Sequence, residues 1–363
     1  MARVLVVGSG LAGLGAALES AIRGHQVVIL EKRKQLGGKA ASTEFDGIPV
    51  GYGPHLLLKN GPLHKLCKKL SRMKPKTNPL LAGKIDIVNH GPLKPLDDVR
   101  KSIELKRALK SNDLQNPSLQ AADFISSWGL KSDVRRKALL SNNLLCTNEG
   151  WQGLVGRIML ALDEVGIYLE QGRSVKKIEG KSVILEDGKD TIADYVILAC
   201  GLKESNRILT NSGLQQLPKI STISASTIEV ALDSYPFSGK HAEVDLEQKV
   251  AIFDMRRIAP NLTGLGSHIS ALKIIDDASG EENLEQLEQV LDSRCSGWRD
   301  HIISIRKTKN VTIGVSNENR ISADLYEQNN IFLAGDWIKG QHILSDAALE
   351  SGRQSARLFP KAK

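Results

Sequence analysis

Residues 3–7 form a short, almost wholly apolar run, the pattern of a parallel strand covered on both faces. Gly8-Ser9-Gly10-Leu11-Ala12-Gly13 follows at once, and the pattern from about 11 to 23 predicts a helix. A second apolar run, 25–30, predicts a strand that stops at Glu31. Further along, 183–186 and 191–193 flank Asp187-Gly188, a good hairpin turn, and 193–199 predicts a strand returning to the first sheet. Near the end, 330–334 predicts a strand ending in Gly335-Asp336, and 345–357 predicts a closing helix. Two long segments separate these pieces. From 59 to 141, Leu63, Leu66, Cys67 and Leu70 recur at helical spacing, which predicts a helical cap. From 217 to 321, alternating runs at 227–232 and 250–253 precede a helix-like stretch over 281–295, which suits a mixed sheet with helices. No internal repeat or low-complexity linker interrupts the chain.

At roughly 150 residues per domain, 363 residues make two or three domains with a sizeable core. A composition of 41% hydrophobic and 25% charged residues excludes disordered, collagen-like and disulfide-scaffold classes. Cys67, Cys146, Cys200 and Cys295 include no CxxC pair, so no crosslink framework, zinc site or other metal centre is expected. No apolar run approaches the roughly 20 residues that span a bilayer, and no signal-peptide core follows Arg3, so the expected location is the cytoplasm. The net charge of +8 is uneven: 59–140 holds 18 Lys and Arg against 7 Asp and Glu, a balance of +11, leaving −3 for the rest. Lys65, Lys68, Lys69, Arg72, Lys74 and Lys76 suit a solvated helix face, or an anionic lipid surface at about 1 kcal/mol each. Nucleic acid is the weakest reading of that charge, because only 4% of the residues are aromatic and few bases would find a stacking partner.

The order of strand, glycines, helix, strand and acid is what a dinucleotide site needs. Gly8 allows the tight turn, Gly10 lets a pyrophosphate approach the backbone, and Gly13 lets the helix pack on the strand. The helix start at Leu11 and Ala12 then presents unpaired N–H groups to the phosphates, and Glu31, 18 residues past Gly13, is placed to hold ribose hydroxyls.

Past Glu31 comes Lys32-Arg33-Lys34-Gln35-Leu36-Gly37-Gly38-Lys39, a double glycine and a cation that a plain NAD domain does not require. Here the sequence resembles the flavin amine oxidase and phytoene desaturase superfamily, whose run of this kind lays its glycines against the cofactor and its basic residue toward the phosphates. Lys39 replaces the more usual arginine, which would make a bidentate phosphate contact single-point. The segment from Phe45 to His55 resembles the stretch that passes the flavin, with Gly51 where an acid is common and Gly53-Pro54-His55 matching its end. Asn148 to Leu154 resembles a family helix start, 166–169 its third strand, and Val175 the valine that holds adenine through its backbone. Gly335 and Asp336 match the Gly-Asp pair whose aspartate binds the ribityl hydroxyls. The following helix, with Ser345 at its start, matches the one aimed at the flavin N1–C2=O edge, where its dipole favours reduced flavin.

The resemblance implies an α/β fold: an FAD-binding Rossmann-like domain of glutathione-reductase type, from 1–58, 142–216 and 322–363, with a substrate domain inserted. The insertion comprises the basic cap, 59–141, and a mixed α+β part, 217–321. It implies FAD as cofactor. Asp336 through Gly352 aligns without a gap on the ending of carotenoid and squalene-associated desaturases, although Asp346-Ala347-Ala348 departs from the usual pattern. Amine oxidases usually set an aromatic cage wall where this chain has Ser345. The expected activity is therefore desaturation of a lipophilic polyprenoid by hydride transfer to flavin N5, with a quinone or oxygen as acceptor. A basic cap docked on an anionic membrane would put the protein at the inner face. The alternatives are an amine or protoporphyrinogen oxidase, and a flavin- or partner-binding protein without turnover. His55, Trp337 and Lys339 are the weak candidates for a role in the chemistry.

Overall fold

The structure is a computed structural model that describes residues 1–45, 48–51, 53–70, 75–97, 103–111, 113, 115–237, 239–262, 266–276, 278–316 and 318–362. Asp46, Gly47 and Tyr52 of the flavin-like segment, and Arg72 and Lys74 of the basic cluster, lie outside the described residues.

Five parallel strands form the central sheet, in the spatial order Tyr168–Gln171, Gln26–Glu31, Arg3–Val7, Tyr195–Leu198, Ile331–Leu333. The continuous apolar character of the first strand follows from its position, since successive side chains enter different cores. Val4 and Val6 face the helices Leu11–Ile22, Gly150–Glu164 and Leu344–Arg357. Leu5 and Val7 face the meander Val175–Glu179, Ser182–Leu185, Asp190–Ile192 and the helix Leu202–Asn211.

The first and closing helices pack backbone to backbone. A Cβ on Gly352 would lie 1.9 Å from the carbonyl oxygen of Ala12, and one on Gly15 would lie 2.7 Å from that of Leu349. This approach holds the end of the chain against its beginning.

The second sheet has seven strands, in the order Ile302–Val315, Thr222–Leu232, Ser267–Ile274, Val250–Asp254, Ala242–Asp245, Ile85–Ile87, Gly91–Pro92. One face carries the helix Gly280–Arg294, started by a reciprocal capping box between Ser279 and Glu282. The other packs on helices Ile103–Ser111, Pro117–Ser127 and Asp133–Leu140. The segment 59–141 is thus not purely a helical cap. Ile85–Ile87 pairs in parallel with Ala242–Val244 inside the larger sheet, and Thr77–Pro79 pairs with Leu144–Thr147. These strands are two or three residues long, too short for alternation to register.

Because both helix backbones are in van der Waals contact, Gly352→Leu is expected to destabilise the fold by about 1–3 kcal/mol or more. Urea denaturation measures it; a change below 0.5 kcal/mol would mean the helices separate freely.

Candidate functional site

The glycine loop after the first strand is built as a cradle. Gly8 has φ +107°, and a Cβ there would sit 2.7 Å from the Ala199 carbonyl. A Cβ on Gly13 would lie 1.9 Å from the Gly8 carbonyl, so both positions exclude side chains for reasons of fold. Gly10 is different. It is the N-cap of the first helix with φ −69°, supplies no capping side chain, and a Cβ there would meet nothing closer than 3.9 Å. The space over Gly10, at the start of the helix carrying buried Leu11 and Ala12, fits phosphate groups approaching backbone N–H donors.

The double glycine closes the other side of that loop. Gly37 (φ +102°) pairs with Gly10 as an isolated bridge, and a Cβ on Gly38 would lie 3.2 Å from the Gly10 Cα. Next in the chain, Lys39 reaches Asp336, its Nζ 3.2 Å from Oδ2, so residues from both ends of the sequence meet at the cradle. Glu31 is buried. Its Oε2 accepts from the Ser9 N–H (2.9 Å) and hydroxyl (2.7 Å), and its Oε1 from the Arg33 N–H (3.0 Å). Lys32 turns away to pair with Glu204 at 3.3 Å. Val175 sits in the core, and its carbonyl accepts from Arg207 at 2.6 Å.

At the closing helix, the Gly335 N–H donates to the Ser351 hydroxyl at 2.9 Å. Ser345 is half-buried in the first turn. Its neighbour Asp346 is buried and accepts from the Leu63 N–H at 3.0 Å, joining this helix to Pro62–Leu70. Burial pushes the Asp346 carboxyl above its usual range, against the pull of Leu63 N–H and Arg135.

Two of the weak candidates lie away from the pocket at His55. Trp337 is 2% exposed and packs in the core with Leu198, Ile331 and Leu333, its indole folded back over Gly335, where a Cβ would be 2.1 Å from Nε1. Lys339 is exposed and lines a shallow surface groove with Gln341, His342 and Glu350.

His55, the third, lies in a different place. With φ +45°, it lines a small pocket, partly open to solvent, whose walls include Ala40, Gly53, Pro54, Trp151, Met255 and Leu262. Its ring packs at a 38° tilt against Trp151 with centroids 5.0 Å apart, and its carbonyl accepts from the Trp151 indole N–H. Burial, with Arg306 nearby, pushes the imidazole down to about 4.

Behind Gly53 the larger sheet contributes a polar cluster not anticipated from the sequence. Glu229, 1% exposed, accepts from the Gly53 N–H (2.9 Å) and the Ser270 hydroxyl (2.8 Å) at Oε1, and lies 3.0 Å from His268 Nε2 at Oε2. His268 is also 1% exposed and lines the cavity. An acid inside the apolar run 227–232 was the visible signal, but its partners depend on strand register.

The glycine cradle, the two helix starts, Glu31, and the Lys39–Asp336 pair make a site that fits an adenine dinucleotide extended toward the cavity at His55. Residues 6–70 match the model of the NAD(P)-binding Rossmann-like domain. The fold is that of the FAD-binding amine oxidase type. The 4,4'-diapophytoene desaturase (4,4'-diaponeurosporene-forming) of Staphylococcus haemolyticus is 42% identical over 55 residues, which are 15% of this chain and 11% of the relative. An oxidoreductase from Methanosarcina mazei superposes with a TM-score of 0.72 at 16% identity, covering 98% of this chain and 100% of that one. Cyclohexylamine oxidase from Brevibacterium oxydans gives 0.63 at 13% identity over 98% of each chain.

Gly10→Val should leave unfolding free energy within about 0.5 kcal/mol, since its backbone and surroundings tolerate a side chain. It should weaken FAD binding at least about tenfold, read by fluorescence titration. Unchanged affinity would remove the phosphates from Gly10. Folded His55 takes its proton only near pH 4, whereas the unfolded imidazole does so near 6.5. The unfolded state therefore binds more protons between those values, and stability falls as pH drops through them. His55→Gln should flatten that slope in urea titrations.

Proposed function

We propose that this protein is an FAD-dependent oxidoreductase that desaturates a lipophilic polyprenoid of squalene or carotenoid type, with a quinone or oxygen as final acceptor. The observation carrying this reading is the cavity beside His55, whose walls at Ala40, Pro54, Met255, Ala259 and Leu262 are apolar. Among its described lining residues Trp151 is the one Phe, Tyr or Trp, and it packs at a tilt against His55 instead of facing a second such ring across an amine. The desaturase relative supports the same class.

FAD, when bound, supplies hydride acceptance, and the chain holds it. Gly8, Gly10 and Gly13 with the first helix start would carry the phosphates, Glu31 the ribose, and Asp336 with Lys39 the ribityl side. The apolar walls then exclude water from the reacting carbon. Reduced flavin would gain from the start of the closing helix, where partial positive charge gathers.

The substrate's insolubility supports a membrane surface as its source. Lys59, Lys65, Lys68, Lys69 and Lys76 are all exposed and suit anionic lipid. Among the described residues no helix is long and apolar enough to cross a membrane.

Anaerobic bleaching of the FAD-loaded protein tests the proposal. Squalene and longer polyprenes in liposomes are expected to bleach the flavin, faster on anionic than on neutral vesicles, with that advantage disappearing as salt rises. Bleaching by a panel of primary amines alone would overturn the polyprenoid reading in favour of amine oxidation.

A further inference from the structure

We propose that His268 is the proton-accepting residue of this site and that Glu229 is its positioning residue. The inference rests on the oxidoreductase reading above and adds what the flavin does not supply. Making a double bond from CH–CH breaks two C–H bonds. One leaves with its electron pair as hydride to the oxidant, FAD. The electron pair of the other becomes the new π bond, and its proton must go to a base.

Four observations converge on His268. It lines the cavity and is 1% exposed. Its Nε2 is engaged by Glu229 at 3.0 Å, and a carboxylate acts only as acceptor, so the network assigns the ring proton to Nε2. Nδ1 then keeps a lone pair, and it is buried without a hydrogen-bond partner among the described residues. Two of the cavity's other polar side chains are engaged: the Thr147 hydroxyl donates to the Gly150 carbonyl, and the Ser42 hydroxyl to Gln152.

Strand geometry explains how the pair is held. Glu229 lies directly opposite Ser270 across the antiparallel pairing of Thr222–Leu232 with Ser267–Ile274, and His268 lies opposite Ala231, one diagonal step away on the same face. The Ser270 hydroxyl and Gly53 N–H occupy Oε1, which leaves Oε2 for the imidazole. An imidazole fixed this way accepts a proton at Nδ1 while the carboxylate beside Nε2 stabilises the resulting cation. Burying such a pair within a sheet is no more stabilising than apolar residues of the same size would be, so its presence at a cavity wall points to use.

The proton location is tested directly by two-bond proton–nitrogen correlation spectra of the FAD-loaded protein labelled with nitrogen-15 histidine, with His268→Gln assigning the signals. The expected spectrum has Nε2 protonated and Nδ1 bare, and Glu229→Gln should shift the proton to Nδ1. A proton on Nδ1 in the parent protein would overturn the proposal. In the bleaching experiment, His268→Ala should reduce about 10²–10⁴-fold more slowly at unchanged FAD content, with added imidazole restoring part of the rate. Reduction as fast as the parent would equally overturn it. If neither polyprenes nor amines bleach the parent, the proposed activity fails by itself and the nitrogen spectrum still decides the state of His268. Should His268→Ala not fold, the parent and Glu229→Gln spectra carry the decision.

Discussion

The contact on which this molecule depends is between two helix backbones from opposite ends of the chain. Gly352 against the Ala12 carbonyl, and Gly15 against that of Leu349, set the closing helix onto the first at a distance no larger residue permits. Through that contact Asp336, at the end of the last parallel strand, reaches Lys39 just past the second. The dinucleotide cradle is thus assembled by helix packing, and the loops inherit their positions from it.

The larger sheet approaches this cradle from the other side. Glu229 touches the cofactor-side loop at Gly53, while Asp346 on the closing helix holds the Pro62–Leu70 helix through Leu63. Each tie is one carboxylate on a backbone N–H, and burial makes such bonds stringent because neither partner has water as a substitute. A cavity walled by both parts is held in shape by these two links.

The first strand, the glycine loop, Glu31 and the double glycine were legible because each spacing reflects contacts within about forty residues. The closing Gly-Asp and its helix were legible through resemblance. What escaped depends on long-range register. Ile302–Val315 is an edge strand carrying Arg306, Lys307 and Lys309, so charges blur its alternation. Glu229 stood visible in its run, but nothing local sets Ser270 opposite it or brings His268 within reach. The burial of Trp337 was not legible either, because an aromatic beside a ligand motif carries no sign that its indole folds over the bare Cα of Gly335.

The discontinuous sheet also governs how the protein is made. Until Ile331–Leu333 leaves the ribosome, Tyr195–Leu198 is an open sheet edge, and the first helix shows its glycine face to water. Such late closure raises contact order and slows folding, and an unpaired apolar strand invites association with another chain. The nascent protein is therefore most exposed to aggregation just before Ile331–Leu333 and the helix Leu344–Arg357 emerge, and a chaperone holding that edge would act at this stage of synthesis.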